Sequence, residues 1–393
     1  MVYQNLPYEK VWYGEGVVCE NLVDEIIKYC SRKILIVTTE SLIGTKSFNN
    51  LLELCSDYSI YIYKSKQHVP IDTLVGKFSE VKLFSPDLII SVGGGSSIDS
   101  AKIMSAMLGY AIDTKEELIN YAINNRSQVQ QNPLLPHLAI PTTLSAAEFS
   151  GVGGFSDETK GMKYGIYNTA ITPSQIFLDP TFSIDTPLDF WISTGMRSVD
   201  HAVETVYSPI ESPVNHALAL KSLTYLFQYL PMVKENPTNL DYRLQCQLGA
   251  WMSFFTVVNT KMGLSHMIGH QLGAFYGIPH GVTSAIMLAN VMDFMLPYSE
   301  KEQLAIFQTL NEAGLVGNIN SNEKKATHSS QLVRNLVNQL EIPSQLRDFN
   351  VSKESLEKVL KNILSEIKMK DHSLLLSIED LEKKLKILLM KSW

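Results

Sequence analysis

The stretch DLIISVGGGSSIDSAK, residues 87–102, decides the fold. It runs from a short apolar segment through three consecutive glycines into a helical pattern. An apolar run of that length ending in glycine reads as a strand buried on both faces, and the residues beyond it open a helix. Gly93, Gly94 and Gly95 let the backbone turn sharply and let a ligand approach closely. Ser96 and Ser97 supply hydroxyls, and Asp99 stands where it can cap or orient the turn. A helix starting here offers free N–H groups and the positive end of its dipole, so phosphate binding is a better reading than an ordinary tight turn. The spacing is neither GxGxxG nor GxxxxGK[ST], and neither standard nucleotide motif applies.

The same grammar repeats on either side. KILIVTT (33–39), YSIYIYK (58–64), PDLIISV (86–92), PHLAIPTT (136–143) and SQIFLDP (174–180) are strand-length apolar runs. Segments 71–84 and 97–109 between them read as helices. Such alternation specifies a parallel sheet covered on both faces. From about residue 184 the pattern changes. Segments 213–230, 239–260, 301–314, 329–340 and 353–391 carry a helical apolar period, and no clear strand remains. The expectation is an α/β domain over residues 1–183 and an all-helical domain over 184–393, with a ligand in the cleft between them.

Bulk properties agree. A chain of 393 residues exceeds one ordinary core. With 45% apolar and 19% charged residues it has the composition of a soluble globular protein. A net charge of −7 argues against nucleic-acid and anionic-membrane partners, yet leaves small anionic substrates open. Cys19, Cys30, Cys55 and Cys246 show no CxxC spacing and read as reduced thiols of a cytoplasmic protein. The first residues lack a signal-peptide pattern, and no run of about 18 apolar residues suggests a membrane span.

Polar residues gather at a few places. IPTTLSAAEFS (140–150) presents Thr142, Thr143 and Ser145 at the carboxyl end of a strand, where a parallel sheet meets its ligand. Glu148 fits a buried structural carboxylate as well as a functional one. In GLSHMIGHQLGAFYGIPHG (263–281), His266 and His270 lie one helical turn apart and His280 follows a proline. GMRSVDHAVE (195–204) adds His201, with Arg197 four residues before it on the same helix face. Neutral imidazoles are common ligands of zinc and iron, and four together favour a metal site over a hydrogen-bonded core. His68, in SKQHVPID, fits either the crevice or the surface.

Together these segments, with YGEG at 13–16, resemble the iron-containing (group III) alcohol dehydrogenase family, which also holds glycerol dehydrogenases and maleylacetate reductases. The resemblance implies a Rossmann-like dinucleotide-binding domain, a helical metal and substrate domain, the dehydroquinate synthase-like fold, and hydride transfer to or from NAD or NADP. It implies cofactor contacts from the glycine turn, Thr142, Thr143 and Lys163. His201, His266 and His280 would be the metal ligands, for iron or zinc, and His270 would relay a proton beside the nicotinamide. A homodimer acting on a small molecule is implied as well.

Two departures stand out. Metal-dependent members of the resembled family carry an aspartate where this chain has Arg197, and a guanidinium has no lone pair to give a dication. Asp200 is not expected to replace it, because neighbouring helix positions near it point about 100° apart and take it off the Arg197/His201 face. Maleylacetate reductases similarly lack this aspartate, and QHVP at 67–70 resembles that branch. Arg197 then stands in the electrophile's place, unless it turns away to pair with Asp200 or Glu204. At the end of the second strand, Thr39 replaces the aspartate that grips a ribose 2′-hydroxyl in NAD-specific relatives. Glu40 next to it opposes a 2′-phosphate, which leaves NAD and NADP both open.

The expected activity is carbonyl–alcohol interconversion, or enone reduction of the maleylacetate reductase kind. A conventional metal-dependent alcohol dehydrogenase using the three histidines is the near alternative. A dehydroquinate synthase-like lyase and a non-catalytic nucleotide binder are the distant ones. Phe149 and Phe275 are guesses for pocket-facing positions.

Overall fold

The computed structural model describes residues 2–124, 132–316, 325–369 and 378–393. By compactness the chain forms two units. The first holds Met1–Trp191, Asn236–Trp251 and Thr256–Val258, and the second Ile192–Glu235, Met252–Phe255 and Asn259–Trp393.

The first unit is built on strands β1 (Lys10–Tyr13), β2 (Lys33–Thr39), β3 (Ser59–Ser65), β4 (Leu88–Gly93), β5 (His137–Pro141), β6 (Val152–Asp157), β7 (Met162–Tyr167) and β8 (Gln175–Leu178). Six of them form one sheet in the order β1-β8-β5-β4-β2-β3, with every pair parallel. Its helices are α1 (Val17–Lys28), α2 (Lys46–Leu54), α3 (Ile71–Phe84), α4 (Gly95–Tyr110), α5 (Lys115–Asn124) and the single turn α6 (Pro180–Ser183). Successive residues of β2 go to opposite sides, as strand geometry demands. Ile34 and Ile36 join Val18, Leu22 and Phe48 in one core, while Leu35 and Val37 join Ile103 and Met107 in the other. That is the doubly covered parallel sheet the apolar runs predict.

β1 and the antiparallel hairpin β6–β7 are additions to that expectation. β1 is four residues long and only half buried, and β6 carries two glycines and an aspartate. Neither has the β-branched, apolar run by which strands are recognised.

The remaining helices are α7 (Leu188–Val206), α8 (Pro213–Glu235), α9 (Leu240–Ser253), α10 (Leu264–Tyr276), α11 (His280–Met295), α12 (Glu300–Glu312), α13 (Lys325–Gln339), α14 (Leu356–Met369) and α15 (Ile378–Lys391). Among the described residues the second unit contains no strand. The helical segment expected over 353–391 is two helices, and residues 370–377 lie outside the described residues. No described helix is long and apolar enough to cross a membrane.

Candidate active site

In the first unit, β4 and β5 are neighbours in register, Gly93 opposite Pro141. The glycine turn and Thr142–Thr143 therefore emerge side by side, and the Thr142 N–H donates to the Gly93 carbonyl at 3.0 Å. Gly93 has φ +144°, and a Cβ there would lie 2.5 Å from Ser97 Oγ. At Gly94 it would lie 2.9 Å from Thr143 Cγ2. A Cβ at Gly94 would force Thr143 to shift, and one at Gly93 would force Ser97 to shift at a φ that L side chains rarely take. Ser97 is fully buried and its hydroxyl meets that of Ser65, so it closes the turn. Ser96 Oγ accepts from the His68 N–H, which leaves its own proton for another acceptor. Beyond Gly94 the first N–H groups of α4 have no intrahelical acceptor, as at any helix start.

Asp99 corrects the sequence reading. It stands one turn inside α4, away from the turn, and its Oδ2 accepts from the Gly154 N–H of β6 at 3.2 Å. It pins the hairpin instead of capping the glycines, and burial pushes its carboxyl up to about 6. The hairpin is also tied to the segment after β3, where the Ser156 N–H donates to the Val69 carbonyl at 3.1 Å. His68 and Val69 there have φ of +63° and +50°. For a β-branched valine that is a strained conformation, and the two tethers hold it. Lys163, opposite Ser156 on β7, is exposed. Burial and the Lys163 charge lower the pKa of His68, so the hairpin brings Lys163 to the half-buried imidazole. Thr39 ends β2, with its hydroxyl 3.0 Å from that of Ser41, and Glu40 pairs with Lys64 at 2.9 Å.

Beneath the turn lies a residue the sequence reading passed over. Lys102 is fully buried, and its ammonium donates to the carbonyls of Ala147, Ser150 and Val152 at 2.6–2.9 Å. It fixes the backbone after Thr142–Ser145. Glu148 in that segment is 2% exposed, and burial pushes its carboxyl up to about 7. A carboxyl raised above its ordinary 4.5 binds a proton more tightly folded than unfolded. It contributes stability fully below pH 4.5, and that contribution is lost as the pH rises to about 7. Glu148→Gln is expected to make the denaturant midpoint fall less across that window than wild type does. Parallel profiles for the two proteins would reject this assignment.

In the second unit α7 carries Arg197 and His201, α10 carries His266 and His270, and α11 opens at His280. The structure brings all five together. Ring centroids are 5.2 Å apart for His201 and His266, 4.8 Å for His266 and His270, and 5.0 Å for His270 and His280. Arg197 is 7% exposed and points among them, its Nη2 donating to His266 Nε2 at 2.5 Å and to His270 Nε2 at 3.2 Å. A guanidinium only donates, so both Nε2 atoms accept and the ring protons sit on Nδ1. Burial and the Arg197 charge hold His201 and His266 neutral, well below the usual imidazole range.

Asp200 also departs from expectation. It remains beside Arg197, with its Oδ2 3.7 Å from Nη1 across an i,i+3 spacing. Oδ2 further accepts from the hydroxyls of Ser265 and Ser284, at 3.0 and 2.6 Å. Ser284 meets Nη1 as well, at 3.3 Å. Asp200 is thus the counter-ion under a guanidinium whose other edge faces the histidines; the salt bridge and the histidine contacts coexist. Glu204 caps α10, accepting from the N–H groups of Gly263, Ser265 and His266, while burial and Asp200 push it up to about 8.

The set His201, His266 and His280, expected as metal ligands, does not fit a dication here. The His266 lone pair is taken by a guanidinium, whose positive charge would repel the ion. Among the described residues no three His, Cys, Asp or Glu side chains converge on a common centre. Of the two guessed pocket positions, Phe149 is fully buried and stacks on Trp251, and Phe275 lies under the Lys358 ammonium.

The profile of the iron-containing alcohol dehydrogenases matches residues 8–180, and that of the C-terminal domain of the same family matches 191–385. The chain belongs to the iron-containing alcohol dehydrogenase family. It is an oxidoreductase of that family. The NAD-dependent methanol dehydrogenase of Bacillus methanolicus is 26% identical over 377 residues, covering 94% of this chain and 95% of that protein. Maleylacetate reductase 1 of Cupriavidus pinatubonensis is 28% identical over 291 residues, 74% of each. The solved alcohol dehydrogenase of Oenococcus oeni shares the fold over the full length of both chains, with a TM-score of 0.86 at 22% identity.

Proposed function

We propose that this family member is an NAD(P)-dependent carbonyl reductase and alcohol dehydrogenase that works without a metal, with Arg197 in the electrophile's place. The observation that carries the reading is the guanidinium on His266 Nε2, a lone pair that a dication held by His201, His266 and His280 would need. A metal polarises a carbonyl as a Lewis acid. A guanidinium does part of that from a permanently charged fork when a carbonyl oxygen takes the place of His266 or His270 as acceptor of an Nη2 proton. Asp200 and Ser284 hold the fork from behind.

The glycine turn, Ser96, Thr142, Thr143 and Lys163 supply the dinucleotide contacts, and one relative is named as NAD-dependent. Thr39 is uncharged and Glu40 is already paired with Lys64, so NAD and NADP both suit the reading. A bound nicotinamide dinucleotide would supply or take up the hydride, and His270 would pass a proton between solvent and the substrate oxygen. The substrate is a small carbonyl compound or alcohol, and the working form a cytoplasmic homodimer. Reduction of an activated alkene is the second reading, favoured by the maleylacetate reductase relative together with the replaced aspartate.

The test is elemental analysis of the purified protein with NADH- and NADPH-dependent assays on a carbonyl panel, before and after chelation. We expect far less than one metal per chain and activity indifferent to chelator. Near-stoichiometric iron or zinc, with activity lost on chelation, would overturn the reading.

A further inference from the structure

Lys102 lies fully buried in α4, two turns beyond the glycine turn, and takes no part in the chemistry proposed above. Its ammonium carries three protons and no lone pair. Three backbone carbonyls surround it, those of Ala147 at 2.6 Å, Ser150 at 2.7 Å and Val152 at 2.9 Å. Ser150 Oγ, at 3.2 Å, is a longer fourth acceptor. The protons and carbonyls match one to one. A neutral amine has two protons and a lone pair, and would turn that lone pair on one of the carbonyls. The arrangement therefore suits the charged form alone.

The cation holds a strained stretch of backbone. Ala146 is fully buried with φ +58° and ψ 20°, a left-handed conformation that a residue with a Cβ rarely adopts. It stands between Ser145 and the Ala147 carbonyl that Lys102 grips. Upstream, Thr142 is bonded to the Gly93 carbonyl. Cβ positions on Gly94 and Gly95 lie 2.9 Å from Thr143 Cγ2 and 3.4 Å from Ser145 Oγ. Downstream, Val152 opens β6, whose partner β7 carries Lys163. One ammonium thus ties α4 to the hydroxyl-bearing segment and to the hairpin.

The titratable groups facing Lys102 are Asp99 on α4, Glu148 after β5 and His137 on β5. Burial lowers the ammonium to about 8, while Asp99 and Glu148 support its charge. Those carboxyls, at about 6 and about 7, ionise before Lys102 loses its proton, and His137, at about 3, is neutral throughout. In this group the change on the alkaline side is loss of the Lys102 proton.

We infer that Lys102 is a positioning residue for the dinucleotide: its ammonium holds the Ala146 turn and so keeps the hydroxyls of Thr142, Thr143 and Ser145 against the glycine turn. It acts through the backbone, and its charge sets the affinity. The inference rests on the dinucleotide reading above.

The experiment measures dissociation constants of NADH and NADPH by fluorescence from about pH 7 to about pH 9.5, for wild type, Lys102→Met and Glu148→Gln. In wild type the constant is expected to rise about tenfold across that range, the loss of about one hydrogen bond to a charged group. Lys102→Met should already bind about tenfold more weakly at the lower pH and show no step. Glu148→Gln should keep the step and bring it to lower pH, because a carboxylate that supports the ammonium is gone. A step that survives in Lys102→Met would overturn the inference. So would a step abolished by Glu148→Gln, which would make Glu148 the titrating group. If Lys102→Met does not fold, the profiles of the other two proteins decide. Tight binding at the lower pH with a flat wild-type profile overturns this inference alone. A wild type that binds neither dinucleotide overturns the cofactor reading with it.

Discussion

Arg197→Met is expected to lower kcat/KM for carbonyl reduction by about 10²–10³-fold, the usual consequence of removing a preorganised donor from a developing oxyanion. Most of the loss should fall on kcat, because an electrophile acts more strongly on the transition state than on bound substrate. Arg197→Lys keeps the charge but loses the fork that reaches His266, His270 and Ser284 together, and should recover only part of the activity. Steady-state kinetics with unchanged dinucleotide affinity would check both. A methionine variant with wild-type kcat would remove Arg197 from the chemistry.

Arg197→Asp makes the complementary case. It removes the cation that blocks the His266 lone pair and adds an anionic donor to a cluster of neutral imidazoles. Stoichiometric zinc uptake and a zinc-dependent rise in melting temperature are expected in that variant and not in wild type. Zinc uptake by wild type equal to that of the variant would show that the guanidinium is no obstacle.

The legible and illegible parts of the molecule divide along physical lines. β2, β4 and β5 are buried on both faces, so their apolar runs announce them, and α3 falls on the 71–84 pattern to the residue. The glycines at 93 and 94 are visible because a side chain at either would crowd Ser97 or Thr143, and Gly93 has a φ that favours glycine. The hairpin β6–β7 gave no such signal, since its strands are partly exposed and interrupted by glycines. Its position depends on Asp99 and Val69, which are distant in sequence.

The same holds for the histidine cluster. Spacing shows that His266 and His270 share a face, but the direction of a guanidinium depends on the serines behind it. Ser265 and Ser284 come from helices whose packing the sequence does not display. Asp200 was within reach, since an i,i+3 Arg–Asp pair is a helix-surface pattern. Lys102 was visible too, as a lysine among mostly small and apolar residues of α4.

Gly281→Ala is expected to destabilise the protein by about 3 kcal/mol or more, at the upper end of what overpacking costs. The added Cβ would lie 2.0 Å from the Ser193 carbonyl oxygen and 3.0 Å from the Thr194 nitrogen. Both are backbone atoms within α7, so no side chain can swing aside, and α7 and α11 must separate. Arg197 follows one turn after Ser193, and Ser284 one turn after Gly281, so the separation should also loosen the 3.3 Å contact between them. Gly76→Ala is the control. Gly76 lies in α3 with nothing within 4 Å of its Cβ position, and alanine there should stabilise by about 1 kcal/mol through helix propensity. Chemical denaturation of the two variants would give shifts of opposite sign. If Gly281→Ala unfolds at the wild-type midpoint, the close approach of α7 and α11 is wrong, and with it the seat proposed for the Arg197 fork.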